Sequence, residues 1–271
     1  SFQNSEGADE NYSEGYFEGV DPKDYHKMSP RDMENRKFDK IIELLNIKSG
    51  NVVLDLGCGT STFANYAKKK NIHVIGVTLS SEQVDRAKKL GLEAYKLDYS
   101  VFIPDFVNKF DHIIMMGSSE HIATGNSLFL QSYKHKKNTL HKIFNYCYKY
   151  LKNNGNLFYS GLHINKKYYN TFQHFILTRA YGGLLQLNTK DYDILASAKN
   201  TKFKHTFTRD NSYDYFLQSK LNKNHFGNSS NFLSSGMLKL LAVSLVLPFE
   251  IYQYLYYTLG LWMWMWDGNL H

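Results

Sequence analysis

Residues 52–60, VVLDLGCGT, place a carboxylate and two glycines, Asp55-x-Gly57-x-Gly59, at the end of a short apolar run. Such a run reads as a buried parallel strand ending in a tight turn. Gly57 and Gly59 lack Cβ, so the backbone can turn sharply and a ligand can lie against it. Residues 61–70 read as a helix whose N-terminus points free N–H groups over that turn. Asp55 can accept hydrogen bonds from an ammonium group. A strand–glycine turn–helix unit binds several nucleotide-like ligands. The dinucleotide fingerprint G-x-G-x-x-G is incomplete, because Thr62 and then Phe63 follow instead of a third glycine. No G-x-x-x-x-G-K-[ST] is present, so a phosphate-cradling loop is not supported. A plain glycine-rich turn without a ligand is the competing reading.

Elements that could hold such a turn in place follow one another along the chain. Ser29 and Pro30 open a helix, as cap and first residue, that runs to about Leu45. Further strands are read over 72–78, 94–97, 110–117 and 156–163. Helices are read over 81–90 and 139–151. The strand at 110–117, FDHIIMMG, is almost wholly apolar and so buried on both faces. This alternation predicts an α/β fold: a mostly parallel, doubly wound sheet with helices on both faces. Ligands on such sheets lie beyond the carboxyl ends of the strands. That gathers Gly57, Thr78, Asp98, Gly117 and Glu120 around one crevice.

The 271 residues divide into an N-terminal arm at 1–27 and an α/β core at 28–164. A cap insertion follows at 165–232, then an apolar helix and final strand at 233–271 that complete the core. The Lys/Asn-rich piece 220–230 reads as loop by composition. Residues 237–266 are apolar enough to raise a membrane-span question, but Lys239, Glu250, Gln253 and Pro248 interrupt them. A helix plus a strand, or a greasy surface suited to lipid, is preferred.

Net charge is +7, carried by lysine with only five arginines, so nucleic acid is not an expected partner. A basic surface suits contact with an anionic membrane, and equally an ordinary solvated face. The two cysteines, Cys58 and Cys147, make no disulfide framework or metal site, which points to a reducing, cytoplasmic compartment; the basic surface and the C-terminal aromatics leave peripheral membrane contact open. The chain opens on Ser1 rather than Met, which points to a trimmed product.

D-x-G-x-G behind a strand resembles motif I of class I S-adenosylmethionine (SAM) methyltransferases. The second strand narrows the resemblance. It ends G-V-T-L-S-S-E-Q at 76–83, where most such enzymes carry an acid. This G-x-T-L-S-x-x-Q is similar to the cyclopropane-fatty-acid synthase family, which includes mycolic acid cyclopropane synthases and plant alkaloid N-methyltransferases. Y-S-E-G-Y-F at 12–17 resembles that family's Y-S-C-[GA]-Y-[FW] arm, and S-E-H at 119–121 its F-E-H. The resemblance covers about 12 to 163.

The resemblance implies a class I SAM-methyltransferase (Rossmann-like) fold with the arm over the cofactor. By it, Tyr12 and Ser13 hold the methionine carboxylate. Gly57 and Gly59 line the SAM backbone, while Asp55 orients the turn or takes the ammonium. Thr78, Leu79 and Gln83 contact ribose and methionine. Tyr99 stacks on adenine beside Asp98, with Met116 on the other side. Each could instead be structural, Leu79 and Met116 above all.

The acceptor side departs further. In the family a bicarbonate base is held by the arm Cys backbone, the F-E-H glutamate, a strand-five His and a cap Tyr. Glu120 matches the glutamate. Glu14 replaces the Cys, Ser160 takes the His position with His163 three residues on, and Y-D-Y-F-L at 213–217 points to Tyr213 as the cap tyrosine. A carboxylate at position 14 repels bicarbonate, which counts against that anion. Glu120 and His121 could hold an amine and take its proton; Glu120 could equally bond back to the arm, and His121 could be a buried structural histidine. No metal is expected.

Three functions follow from the resemblance. The first is methyl transfer from SAM to an unsaturated lipid acyl chain, by cyclopropanation or simple methylation. The second is N-methylation of a small amine. The third is a SAM-binding protein whose catalysis has decayed.

Overall fold

The computed structural model describes residues 14–119, 122, 131–161, 163–164, 188–189, 198 and 201–226. Five strands form one parallel sheet: β1 (Val52–Leu56), β2 (His73–Thr78), β3 (Glu93–Lys96), β4 (Phe110–Met116) and β5 (Leu151–Ser160), in the order β3-β2-β1-β4-β5. The chain runs outward from β1 to β3 and then crosses back to β4. The switch between β1 and β4 opens a crevice at their carboxyl ends. A second pair, β6 (His163–Ile164) and β7 (Asn188–Thr189), lies outside this sheet.

β4 and β5 pair Phe110 with Leu151, then His112 with Asn156. Lys152 to Gly155 bulge out between these pairs, with Asn154 at φ 65. The expected 153–155 turn is therefore an interruption inside β5, and the strand begins earlier than its apolar pattern suggested.

Three helices cover one face: α1 (Pro30–Leu45), α2 (Thr62–Lys68) and α3 (Ser81–Lys89). Ser29 caps α1 through a reciprocal pair with Asp32, whose backbone N–H donates to Ser29 Oγ at 3.0 Å. The apolar spacing of α1 puts Phe38, Ile41 and Leu45 against Phe63, Val53 and Ile114. Each large side chain so buried contributes about 1.5–3 kcal/mol. The opposite face packs α4 (Gln131–Tyr150) through Ile143, Cys147 and Tyr150 onto Leu54, Leu56, Ile113 and Met115.

The last described helix, α5 (Ser212–Phe226), lies in the cap region. It corrects the loop expected from residue 220, since 220–226 are helical. Leu217 and Leu221, one turn apart, pack with Phe17 and Met33 in a separate apolar cluster, and that packing outweighs the polar composition. No helix among the described residues is long and apolar enough to cross a membrane. The expected helix and strand at 233–271 lie outside the described residues.

Candidate active site

The crevice is built on the turn after β1. Gly57 N and Cys58 N both donate to Val77 O, at 2.8 and 3.0 Å, which stitches the turn to β2. Gly57 and Gly59 have φ of +83 and +52, conformations open to glycine at little cost. Their surroundings differ. A Cβ on Gly57 would collide with the Ser118 side chain, whose Oγ donates to Leu56 O at 2.9 Å. A Cβ on Gly59 would meet nothing within 4 Å. Gly59 is thus the position where a ligand can lie against the backbone. Ser61, at φ 61, opens α2 without a side-chain cap.

Asp55 is the penultimate residue of β1, with its side chain on the α1 face, and is only 2% exposed. Burial pushes its carboxyl up to about 7, against the pull of the Lys37 charge. A buried carboxylate in this position calls for a cation, and an ammonium group supplies one. Lys37 itself is buried in α1. It was not singled out from sequence, although it shares the helix face of Met33 and Ile41.

At the end of β2 the Thr78 hydroxyl donates to the Gln83 side-chain carbonyl and accepts from Ser80 N at 3.2 Å. Ser80 Oγ caps α3 by accepting from Gln83 N. Leu79, between them, is 66% exposed beside the crevice. Asp98 is exposed and accepts from Ser100 N at 2.9 Å. The Tyr99 hydroxyl donates to Ser118 O at 3.1 Å, so Tyr99 spans from the β3 side to the β4 side. Met116 ends β4 half-buried against the α1/α2 core. Ser118, which joins Gly57 and Tyr99, is a further residue that the motif reading missed.

The acceptor-side residues are less fully seen. Tyr12, Ser13, Glu120 and His121 lie outside the described residues. His163 is placed by its backbone in β6, paired with Asn188, and its side chain lies outside the description. Tyr213 opens α5, 62% exposed, with its ring stacked on Phe216 at 6.1 Å. Among the described residues no hydrogen bond or ring contact joins it to the crevice. Glu14 is half-buried, 3.5 Å from Asn211 Nδ2. Among the described residues no group of three His, Cys, Asp or Glu could hold a metal ion. A separate groove of about 510 Å³, lined by Lys68, His73, Lys88, Leu92, Glu93 and Tyr95 among others, lies at the amino ends of β2 and β3, away from the crevice.

A family profile described as mycolic acid cyclopropane synthetase matches residues 2–218. The chain belongs to this family. Cyclopropane-fatty-acyl-phospholipid synthase of Escherichia coli (strain K12) is 34% identical over 97 residues, 34% of this chain and 25% of that protein. A probable (S)-tetrahydroprotoberberine N-methyltransferase of Papaver bracteatum is 32% identical over 146 residues, 47% of this chain and 39% of that protein. The matches span only 25% and 39% of the lengths of these relatives.

Solved structures are alike over far more of the chain. A cyclopropane synthase of Mycobacterium tuberculosis superposes with TM-score 0.69 at 17% identity, covering 96% of this chain and 87% of that one. A geranyl diphosphate C-methyltransferase of Streptomyces coelicolor A3(2) gives 0.62 at 16% identity, over 97% and 86%. These likenesses show the fold, a class I SAM-methyltransferase sheet with helices on both faces.

Proposed function

We propose that the chain is a SAM-dependent methyltransferase acting on an unsaturated lipid acyl chain. The observation that carries the cofactor half of this is the turn itself: Gly59, at positive φ, faces open space, and a buried carboxylate, Asp55, stands four residues before it. A ligand with a cationic amino-acid end fits that cradle. When bound, SAM supplies a methyl group already activated on a sulfonium sulfur. The chain's own task is then alignment and exclusion of water.

Asp55 would take the ammonium, Gly59 the backbone contact, and Gln83 with Thr78 the ribose end. Tyr12 and Ser13 would hold the carboxylate. Asp98 and Tyr99 would face the adenine, with Leu79 and Met116 as apolar walls. Glu120 and His121 are the residues proposed to remove a proton from the acceptor after methyl transfer, with Tyr213 and His163 as supporting groups. The basic surface and the aromatic stretch 237–266 favour peripheral contact with a lipid surface.

A second reading, N-methylation of a small amine, is favoured by Glu14. Its half-buried carboxylate suits an ammonium better than a bicarbonate.

One experiment separates these. The protein is incubated with methyl-labelled SAM and a total lipid-plus-metabolite extract, and the labelled fraction is identified. Label in the lipid fraction is expected. Label confined to amines transfers the assignment to the second reading, and SAM binding without any label indicates decayed catalysis. Repeating the assay in bicarbonate-depleted buffer tests whether that anion takes part. Glu120→Gln should abolish turnover while leaving SAM affinity nearly intact; unchanged turnover would remove Glu120 from the mechanism.

A further inference from the structure

The start of the described chain is tied to a segment almost two hundred residues later. Phe17 N donates to Asp214 Oδ1 at 3.0 Å, across a separation of 197 residues. The other Asp214 oxygen pairs with Arg209 Nη2 at 2.8 Å, and the Asp214 side chain is 4% exposed. The Arg209 guanidinium lies over the Tyr16 ring, 4.5 Å from its centroid. Arg36 of α1 donates through Nε to Tyr16 O at 3.1 Å and through Nη2 to Glu18 O at 2.7 Å. Tyr16 N donates to Met33 O at 3.0 Å.

Two arginines therefore grip two arm residues, Tyr16 and Glu18, one from the core helix and one from the cap, while Asp214 holds Phe17 between them in sequence. Beneath them Phe17, Met33, Leu217 and Leu221 close an apolar cluster. Gly15 lies so close to Met33 and Gln218 that a Cβ there would collide with both.

The chemistry separates positioning from adhesion. The apolar cluster alone could hold α5 against the arm, because burial is non-directional. An ion pair taken out of water contributes little net stability, yet it accepts only one geometry. Asp214 satisfies a backbone N–H and a guanidinium together, so it admits one register of the arm. That register bears on the crevice. Met33 receives the Tyr16 N–H, and Lys37, one turn along the same face of α1, sets its charge against Asp55.

We infer that Arg209 and Asp214 are positioning residues: they join the arm at Tyr16–Glu18 to α5 as one body, which seats on α1 beside the crevice and lifts from it only as a whole. This body meets α1 at Met33, one turn from the Lys37 whose charge faces Asp55, so a ligand in the crevice is coupled to the arm and α5 alike. The coupling rests on the reading of the crevice as the SAM site; the joining of arm and α5 does not.

The test is backbone hydrogen exchange on the full chain, with and without saturating S-adenosylhomocysteine, for wild type, Asp214→Ala, Arg209→Ala and Arg209→Lys. In wild type, residues 14–20 and 212–226 should exchange together, and the ligand should slow both by the same factor. Asp214→Ala should speed exchange at 14–20 about tenfold and break that equality, so that the ligand slows the two segments by different factors. Arg209→Lys, which keeps the charge, should restore most of what Arg209→Ala loses. Should Asp214→Ala not fold, Asp214→Asn, which keeps an acceptor for Phe17 N, should show the same uncoupling at a few-fold size. Segments that exchange independently in wild type, or that stay equal in the variants, overturn the inference. A wild type that binds neither SAM nor S-adenosylhomocysteine instead removes the crevice reading, and the exchange of the two segments without ligand still judges the clamp.

Discussion

Ser118 occupies the space that a side chain on Gly57 would need, and its hydroxyl holds the Leu56 carbonyl at 2.9 Å. Gly57 is therefore closed by protein, whereas Gly59 faces open space. The two glycines of one motif should respond differently to a methyl group. Gly57→Ala should cost about 2–4 kcal/mol of stability, from overpacking plus a positive φ. Gly59→Ala should cost about 1 kcal/mol, from φ alone, yet lose SAM binding because its Cβ fills the cradle. Urea midpoints and calorimetry on both variants check this. Equal stability losses would mean that the two glycines share one environment.

Asp55 makes the protein pH-sensitive. Its carboxyl sits at about 7 in the folded state against an ordinary 3.8, so the folded protein holds that proton where the unfolded chain has released it. This contribution is fully present below about pH 4 and is lost as pH rises through about 7, a change on the order of 4 kcal/mol. Asp55→Asn removes it. The variant should match wild type near pH 4 and become the more stable of the two by pH 8. Binding of an ammonium favours the carboxylate, so SAM should release about one proton on binding near pH 6. Calorimetry in two buffers of different ionisation heat reads that proton. Its absence would detach Asp55 from the ligand.

Much of the crevice was legible because its chemistry is local. A carboxylate, two glycines and a helix start lie within a few residues, and Thr78 stands at the end of the next strand, whereas Gln83 came only from the resemblance. Ser29 and Ser80 announced their helices in the same way. The rest depends on residues far apart in sequence. Lys37 reads as an ordinary solvated lysine until α1 is laid over β1. Ser118 closes Gly57 only once β4 stands beside β1. Nothing near Asp214 shows that it holds Phe17, and the helix at 220–226 exists because Leu217 and Leu221 find Phe17 and Met33.

Cys58 lies in the glycine turn after β1, yet it should not react. Its side chain fills the space a Cβ on Gly76 would take, and burial, with the Asp55 charge adding to it, pushes the thiol up to about 12. Burial does the same to Cys147. At pH 8 roughly one part in ten thousand of either is thiolate. Ellman's reagent should leave both untouched over an hour in the folded protein and titrate both in denaturant. Fast labelling of Cys58 would mean that the turn opens away from β2.

Thr78 and Gln83 should act on the ligand as a pair. The Thr78 hydroxyl is both a donor, to Gln83, and an acceptor, from Ser80 N, so its position is set from two sides. With its carbonyl engaged by Thr78, the Gln83 amide still has its N–H₂ group to donate. Gln83→Leu should leave the fold nearly as stable and weaken SAM binding about tenfold, the value of roughly one hydrogen bond. Thr78→Val should weaken binding as much and also cost about 1 kcal/mol of stability, because Ser80 N loses its acceptor. If the hydroxyl works only by orienting the amide, the double variant should bind no worse than either single one, a coupling of about 1 kcal/mol or more. Losses that simply add would show two independent contacts, and the end of β2 would then hold the ligand by Thr78 and Gln83 separately.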